Sequence, residues 1–404
     1  MMSIATMVRS NPSLIVAAGC LIALVTFGTR AGFGLFLQPM SSTFGWGREI
    51  FAVAIGIQNL MWGIGQPIAG AIADRYGTTR VLIVGTLIYI AGFWLMAVST
   101  TPAMLHVSAG FLIGAGGAGA SFGLVMAAVG RAVPDDKRSM ALGIVVASSS
   151  LGQFLLVPLG QAFITAYGWS TALMLIGSML FLVIPLSGAY AGTFASTSMV
   201  AQSMGQALRE AGAHRSYVLL TLGFFVCGYH VAFIQTHLPA YIADHGVDAW
   251  VGGWAIGLVG LFNIVGSLSA GYIGGRWSKK NLLACIYLGR AVVIAIYMAL
   301  PVTATSTLVF AAAMGLLWLS TVPPTSGLVA VMFGPRYMAT LFGIVFFSHQ
   351  LGAFLGVWLG GWFYDTTGSY AFVWWTGAAL GVASAMLHWP IDERPVARPA
   401  PARA

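Results

Sequence analysis

Residues 143–154 read GIVVASSSLGQF, and residues 343–354 read GIVFFSHQLGAF. The two stretches lie 200 residues apart and agree at seven positions: Gly143/Gly343, Ile144/Ile344, Val145/Val345, Ser148/Ser348, Leu151/Leu351, Gly152/Gly352 and Phe154/Phe354. The same interval relates Gly28, Arg30, Phe33 and Pro39 to Gly228, His230, Phe233 and Pro239. An interval held by two distant stretches implies a duplicated unit of about half the chain. The copies part where polar residues gather. Ser149 and Ser150 become His349 and Gln350, and Arg30 becomes His230. The shared frame speaks to architecture and the exchanged polar groups to chemistry.

The chain has 404 residues, of which 58% are hydrophobic and 7% charged. Soluble domains carry about 25% charged residues, so the surroundings implied here are lipid. The 52 glycines agree, because small residues let membrane helices approach closely. Cys20, Cys227 and Cys285 are odd in number and show no metal-ligand spacing, so neither a disulfide framework nor a metal is expected. Arg9 followed by an apolar run imitates a signal peptide. The run continues to Leu37, past any plausible cleavage point, and reads as an uncleaved first span.

A membrane helix needs about 20 mostly apolar residues. Twelve segments qualify, at about 13–38, 50–73, 80–98, 103–129, 139–164, 169–190, 216–240, 250–275, 281–300, 304–333, 338–363 and 369–389, here spans 1 to 12. With both termini cytoplasmic, 15 of the 18 basic residues fall inside and only Arg48 falls outside. The net charge of +8 is then an orientation signal and implies no nucleic-acid partner. The expected organisation is a six-helix bundle over 1–190, a cytoplasmic linker over 191–215, a second bundle over 216–389 and a cytoplasmic tail over 390–404. Met204, Leu208 and Ala211 predict a short surface helix in the linker. Two halves with the same orientation suit rocking about a site near the midplane.

GAIADRYGTTR (70–80) follows span 2, and a degenerate copy, GYIGGRWSKK (271–280), follows span 8. On these residues the chain resembles the major facilitator superfamily, whose loop pattern is matched by Asp74, Arg75, Gly77 and Arg80. GTRAGFGLFLQPMSSTFGW in span 1 and CGYHVAFIQTHLPAYIAD in span 7 are similar to the bacterial monocarboxylate and oxalate porter group. The resemblance implies an all-α membrane protein of twelve helices in two pseudo-symmetric bundles. It also implies that spans 1, 4, 7 and 10 line a cavity, and that Asp74, Arg75, Gly77 and Arg80 brace the bundles as a gate. There is one departure. Members of that group often hold the substrate carboxylate with an arginine in span 8, where this chain has Asn263 and Ser267.

Once the loops are counted, Arg30 in span 1 and Arg290 in span 9 remain within the membrane, and all ten acids lie elsewhere. An arginine at a helix centre costs about 2.5–3.5 kcal/mol on insertion scales and does not readily deprotonate. Either an anionic substrate compensates it, or carbonyls freed at kinks and water do. Arg30 lies about ten residues before the external end, roughly 15 Å deep at 1.5 Å per residue. The candidate substrate-binding residues are Arg30, His230, His349, Gln350, Asn263, Asn59, Arg290 and Phe33. His230 is expected to face Arg30 across the pseudo-two-fold axis. Gln58, Asn59, Gln153 and Asn263 could line the site but are read first as bonding helix to helix. His237 and Tyr241 are read as outer-surface anchors, and VPP at 322–324 should bend span 10.

GAGGAG (114–119) follows no strand, and no Walker motif occurs, so ATP and other cofactors are not expected. Nor is catalysis: adjacent Ser348 and His349 point about 100° apart on a helix, and no membrane acid could complete a triad. The reading is a secondary transporter of a small organic anion, a monocarboxylate, in the bacterial inner membrane. It is expected to be monomeric among membrane lipids. It would work by alternating access with a proton or a counter-anion as partner, and His230 is the favoured proton carrier ahead of His349. The alternative is a transporter of neutral or aromatic compounds with structural arginines.

Overall fold

The computed structural model describes residues 12–191, 204–334 and 338–396. Arg9, Arg336, Arg398 and Arg403, four of the 15 basic residues assigned to the inside, lie outside the described residues, as do 192–203 of the linker and 397–404 of the tail. Ten stretches are long and apolar enough to cross a membrane. One of them, Met140–Tyr190, contains two crossings that meet at Gly168, where φ is 78°. Arg48–Tyr76 is a further 29-residue helix, made less apolar by Gln58, Asn59, Gln66, Asp74 and Arg75. Twelve crossings result among the described residues, as the sequence predicts. Met204–Ala213 forms the short helix expected in the linker.

The repeated stretches explain themselves in packing. In span 5, Gly152 lies against the Leu24 carbonyl of span 1, and Gly28 of span 1 lies against the Gly152 carbonyl. The second half repeats this, with Gly228 of span 7 on the His349 carbonyl and Gly352 of span 11 on the Phe225 carbonyl. A Cβ at any of the four would collide with backbone, so only glycine permits these crossings.

The opposite faces of the same stretches join the two bundles. Gly253, Gly257 and Gly260 of span 8 pack on Gln161, Pro158 and Gln153 of span 5. Gly56 and Gly63 of span 2 pack on Phe354 and Gln350 of span 11.

Three cavity-facing helices are broken. Span 1 is divided into Pro12–Ala31 and Gly34–Phe44, and span 10 into Ala304–Leu317 and Val322–Phe333. Span 4 breaks between Ile113–Gly119 and Phe122–Ala132. Proline initiates the second part of span 10, where Pro323 and Pro324 lack donors that the first turn does not need. The predicted bend is therefore a full interruption.

Candidate functional site

The face that carries Arg75, Arg80, Arg131, Arg215 and Lys279 is the basic face; the distal face lies opposite. At the distal face the bundles are closed. Arg48, at the start of span 2, binds Asp244 at the end of span 7 through Nη1 at 2.7 Å and Nη2 at 2.6 Å. Its Nη1 also donates to Tyr370 at 2.8 Å, and its guanidinium lies 3.6 Å from the Tyr364 ring centre. Asp365 of span 11 accepts from the backbone N–H groups of Arg48 and Glu49, each at 2.8 Å. Gly47 offers no capping side chain, so an acid of the other bundle caps this helix. None of these three residues was singled out from sequence. The available signal was Arg48 itself, an isolated cation on a face whose other charges are acids.

A cavity of about 630 Å³ runs from this seam toward the basic face. Its walls descend span 2 from Ile55 to Pro67, span 4 from Phe122 to Met126 and span 10 from Trp318 to Ser326. Arg30, Phe33, Asn59, His349 and Gln350 all edge it, so five of the eight candidate residues are brought together. Arg30 Nη2 donates to Asn59 Oδ1 at 2.5 Å, and its Cζ lies 4.2 Å from the Trp62 ring centre. No carboxylate among the described residues pairs with Arg30. Trp62 meets Phe346 of the other bundle edge-on at 5.3 Å, and Phe346 stacks on His349 at 5.7 Å. A line of rings thus crosses from one bundle to the other beside the Arg30 guanidinium. His349 Nδ1 lies 3.0 Å from Gln350 Oε1, an acceptor to which Nδ1–H donates.

The other three candidates sit elsewhere. His230 does not face Arg30: its Nε2 lies 2.7 Å from the Gly377 carbonyl of span 12, so the ring turns into its own bundle. The pseudo-two-fold relates backbone positions, and side-chain direction followed the available acceptor. Arg290 is wholly buried away from the cavity. Its Nε and Nη2 donate to the Leu317 carbonyl at 3.0 and 2.8 Å, and Nη2 also contacts the Trp318 carbonyl. The break in span 10 freed those carbonyls. Asn263 bonds Ser150 across the bundle interface at 2.9 Å and accepts from Leu319 N–H at 2.9 Å.

Gln153 likewise crosses between bundles, to the Ile256 carbonyl at 2.8 Å. Gln58 bonds Ala109 within its bundle at 2.9 Å while edging the cavity. Trp318 edges the cavity, whereas buried Phe233 packs on Trp374 at 4.9 Å. His237 and Tyr241 are buried rather than at the outer surface; His237 bonds the Val357 carbonyl at 2.8 Å and Tyr370 at 3.2 Å.

The loop after span 2 closes on its own bundle. Asp74 lies 3.5 Å from Arg131 of span 4, and Arg131 also donates to Thr78 at 3.1 Å. Arg75 lies over Tyr76, and Gly77 takes φ 94°, a turn that favours glycine. Among the described residues, the ion pair of Asp74 stays within its own bundle. In the second copy the tail provides the acid: Glu393 accepts from Ser278 at 2.8 Å and from Lys280 N–H at 2.7 Å.

Comparison with known proteins agrees with this architecture. The chain is 25% identical over 364 residues to an uncharacterised MFS-type transporter, YcxA, of Bacillus subtilis (strain 168), covering 85% of this chain and 86% of that one. It is 23% identical to monocarboxylate transporter 13 of Bos taurus, covering 93% and 86%. The crystal structure of a D-xylose-proton symporter superposes with a TM-score of 0.74 at 14% identity, covering 94% and 97%. A bacterial homologue of the human lysosomal transporter Spinster, inward-facing and unoccupied, gives 0.72 at 15% identity, covering 93% and 94%. Residues 19–357 match the Major Facilitator Superfamily, and with twelve crossings in two bundles around a central cavity, the chain belongs to that superfamily of transporters.

Proposed function

We propose that this transporter carries a small organic monoanion whose carboxylate is held by Arg30, across a bacterial cytoplasmic membrane with both termini inside. The observation that carries the reading is a permanent cation at the cavity with no carboxylate partner among the described residues. Asn59 orients the guanidinium, and Trp62 covers one of its faces. The remaining donors suit a planar carboxylate. The low-identity relatives named monocarboxylate transporters favour the same class.

A monoanion entering an inside-negative cell opposes about 2.3 kcal/mol per 100 mV, and one accompanying proton removes that cost. His349 is the proton carrier favoured by its place at the cavity; anion exchange would serve equally.

A second reading draws on the rings that line the cavity, among them Phe27, Phe33, Trp62, Phe122, Trp318 and Phe346. They suit a neutral aromatic solute, with Arg30 then only bracing Asn59. Counterflow in proteoliposomes against a carboxylate panel and the matching amides separates the two. Carboxylates should drive counterflow and amides should not. Arg30→Gln should weaken carboxylate binding by roughly one to two orders of magnitude, the worth of a charged hydrogen bond of about 1.5–3 kcal/mol. Arg30→Lys should keep part of it. A folded Arg30→Gln that binds carboxylates as wild type does would refute the carboxylate reading.

A further inference from the structure

The duplicated frame sets residue 263 of span 8 against residue 150 of span 5, and residue 63 of span 2 against residue 350 of span 11. These crossings are equivalents under the 200-residue interval. Each opposes one carboxamide to one small residue, in opposite sense: Asn263 meets Ser150, and Gln350 meets Gly63. In the first crossing both polar atoms of the amide are partnered. Asn263 Nδ2 donates to Ser150 Oγ at 2.9 Å, while Oδ1 accepts from Leu319 N–H at 2.9 Å and from Ser267 Oγ at 3.0 Å. One side chain thereby ties the opposite bundle to the cavity wall.

In the second crossing the amide is half used. Gln350 Oε1 is paired with His349, but Nε2 is buried and has no partner. Gly63 has no side chain to offer it. A buried donor without an acceptor is expensive and uncommon, so the crossing lacks an acceptor. Gln350 edges the same cavity as Arg30. Asn59, which holds Arg30, stands one helical turn from Gly63 on span 2.

We propose that the substrate carboxylate supplies the missing acceptor, with one oxygen on Arg30 of the first bundle and the other on Gln350 Nε2 of the second. Bound substrate then makes at the second crossing the link between bundles that Asn263 and Ser150 make at the first. This deepens the carboxylate reading above and rests on it. Occupancy is coupled to bundle position because the bridge exists only when the bundles hold both donors around one ligand. It also disfavours a primary amide, whose NH₂ group would oppose one of the two donors.

The test uses full-length protein in detergent, with acetate, benzoate and 3-phenylpropionate and their primary amides as probes. Gln350→Met keeps the volume and removes the amide, and should weaken carboxylate binding about tenfold or more. Gln350→Glu replaces the donor with a charge and should abolish it. Any amide binding should stay within about twofold in the Met variant, which a mere packing defect would not spare. Thermal unfolding identifies the folded variants, and either one suffices. If Arg30→Gln loses carboxylates while a folded Gln350 variant binds them as wild type does, the bridge is wrong and the Arg30 reading stands. If Arg30→Gln also binds normally, or wild type binds no carboxylate, both fall.

Discussion

Replacing Asp244 with Asn should open the distal seam. Arg48 gives Asp244 two hydrogen bonds, at 2.7 and 2.6 Å, with side-chain exposures of 10% and 22% for the pair. Asn retains one carbonyl acceptor but loses the charge and the second oxygen. A hydrogen bond to a charged group contributes about 1.5–3 kcal/mol net. The Arg48–Tyr370 bond at 2.8 Å survives, and so does the Asp365 cap. Taking the loss as about 2 kcal/mol, the closed-to-open ratio at this face should fall roughly thirtyfold, since 1.4 kcal/mol is tenfold. Removing Arg48 instead would take away both Asp244 bonds, the Tyr370 bond and the contact with the Tyr364 ring, and should cost more.

Ser42 and Asp248 are exposed at this face on opposite bundles. Spin labels there, in protein lacking the three native cysteines, report the separation directly. Asp244→Asn should move the distance distribution from one short population to a mixture with a long one. Asp244→Asn combined with Asp365→Asn should move it further, because both acids grip the same helix start. A distribution identical to wild type in Asp244→Asn would refute the claim that this pair holds the seam.

Gly152→Ala and Gly352→Ala should each destabilise the protein by about 1–3 kcal/mol through backbone overpacking, read by thermal unfolding. Gly143→Ala and Gly343→Ala, equally part of the repeat but facing open space, should be neutral or stabilising by up to about 1 kcal/mol. Arg290→Met should lower stability, read by thermal unfolding, by about 1–3 kcal/mol for each carbonyl it leaves unpaired, yet leave carboxylate affinity per folded molecule unchanged. His349→Gln should suppress pH-driven uptake while sparing exchange of preloaded substrate; unaltered uptake would remove His349 from coupling.

The twelve crossings and the duplicated bundles were legible because lipid demands long apolar helices and because the repeat preserves backbone contacts. Gly152 and Gly352 recur since no other residue fits against a carbonyl. Membership of the cavity was readable for Arg30 from its place on span 1 and for His349 and Gln350 from the polar exchange within the repeat, whereas Asn59 stood out only as a polar residue inside span 2. Side-chain direction was less so. His230 occupies the position equivalent to Arg30, but a ring with one donor follows the nearest carbonyl, and that belonged to Gly377. His237 was assigned to the outer surface by its distance along span 7; it is buried because Val357 and Tyr370 bring two helices around it. The distal seam was hidden for another reason. Arg48, Asp244 and Asp365 are spread over more than three hundred residues, and charges at span ends read as loop charges until the bundles are brought together.

The two membrane arginines differ through what the nearby helix breaks release. Span 10 stops at Leu317 and restarts at Val322, and Arg290 takes up the Leu317 and Trp318 carbonyls left at that stop. Arg30 also adjoins a break, between Ala31 and Gly34. There the freed carbonyls are taken by other donors: Phe33 N–H bonds the Arg30 carbonyl at 3.4 Å, Leu35 N–H bonds the Gly32 carbonyl at 3.1 Å, and Gln235 Nε2 of span 7 donates to the Ala31 carbonyl at 3.1 Å. The break beside Arg30 therefore gives its guanidinium nothing. Asn59 and Trp62 engage one edge and one face of it, and the rest borders the cavity. Two identical side chains, each uncompensated by sequence, thus divide by local backbone chemistry. One gives Nε and Nη2 to a wall of the cavity, with Nη1 buried away from it, and the other keeps donors at the cavity for what enters it.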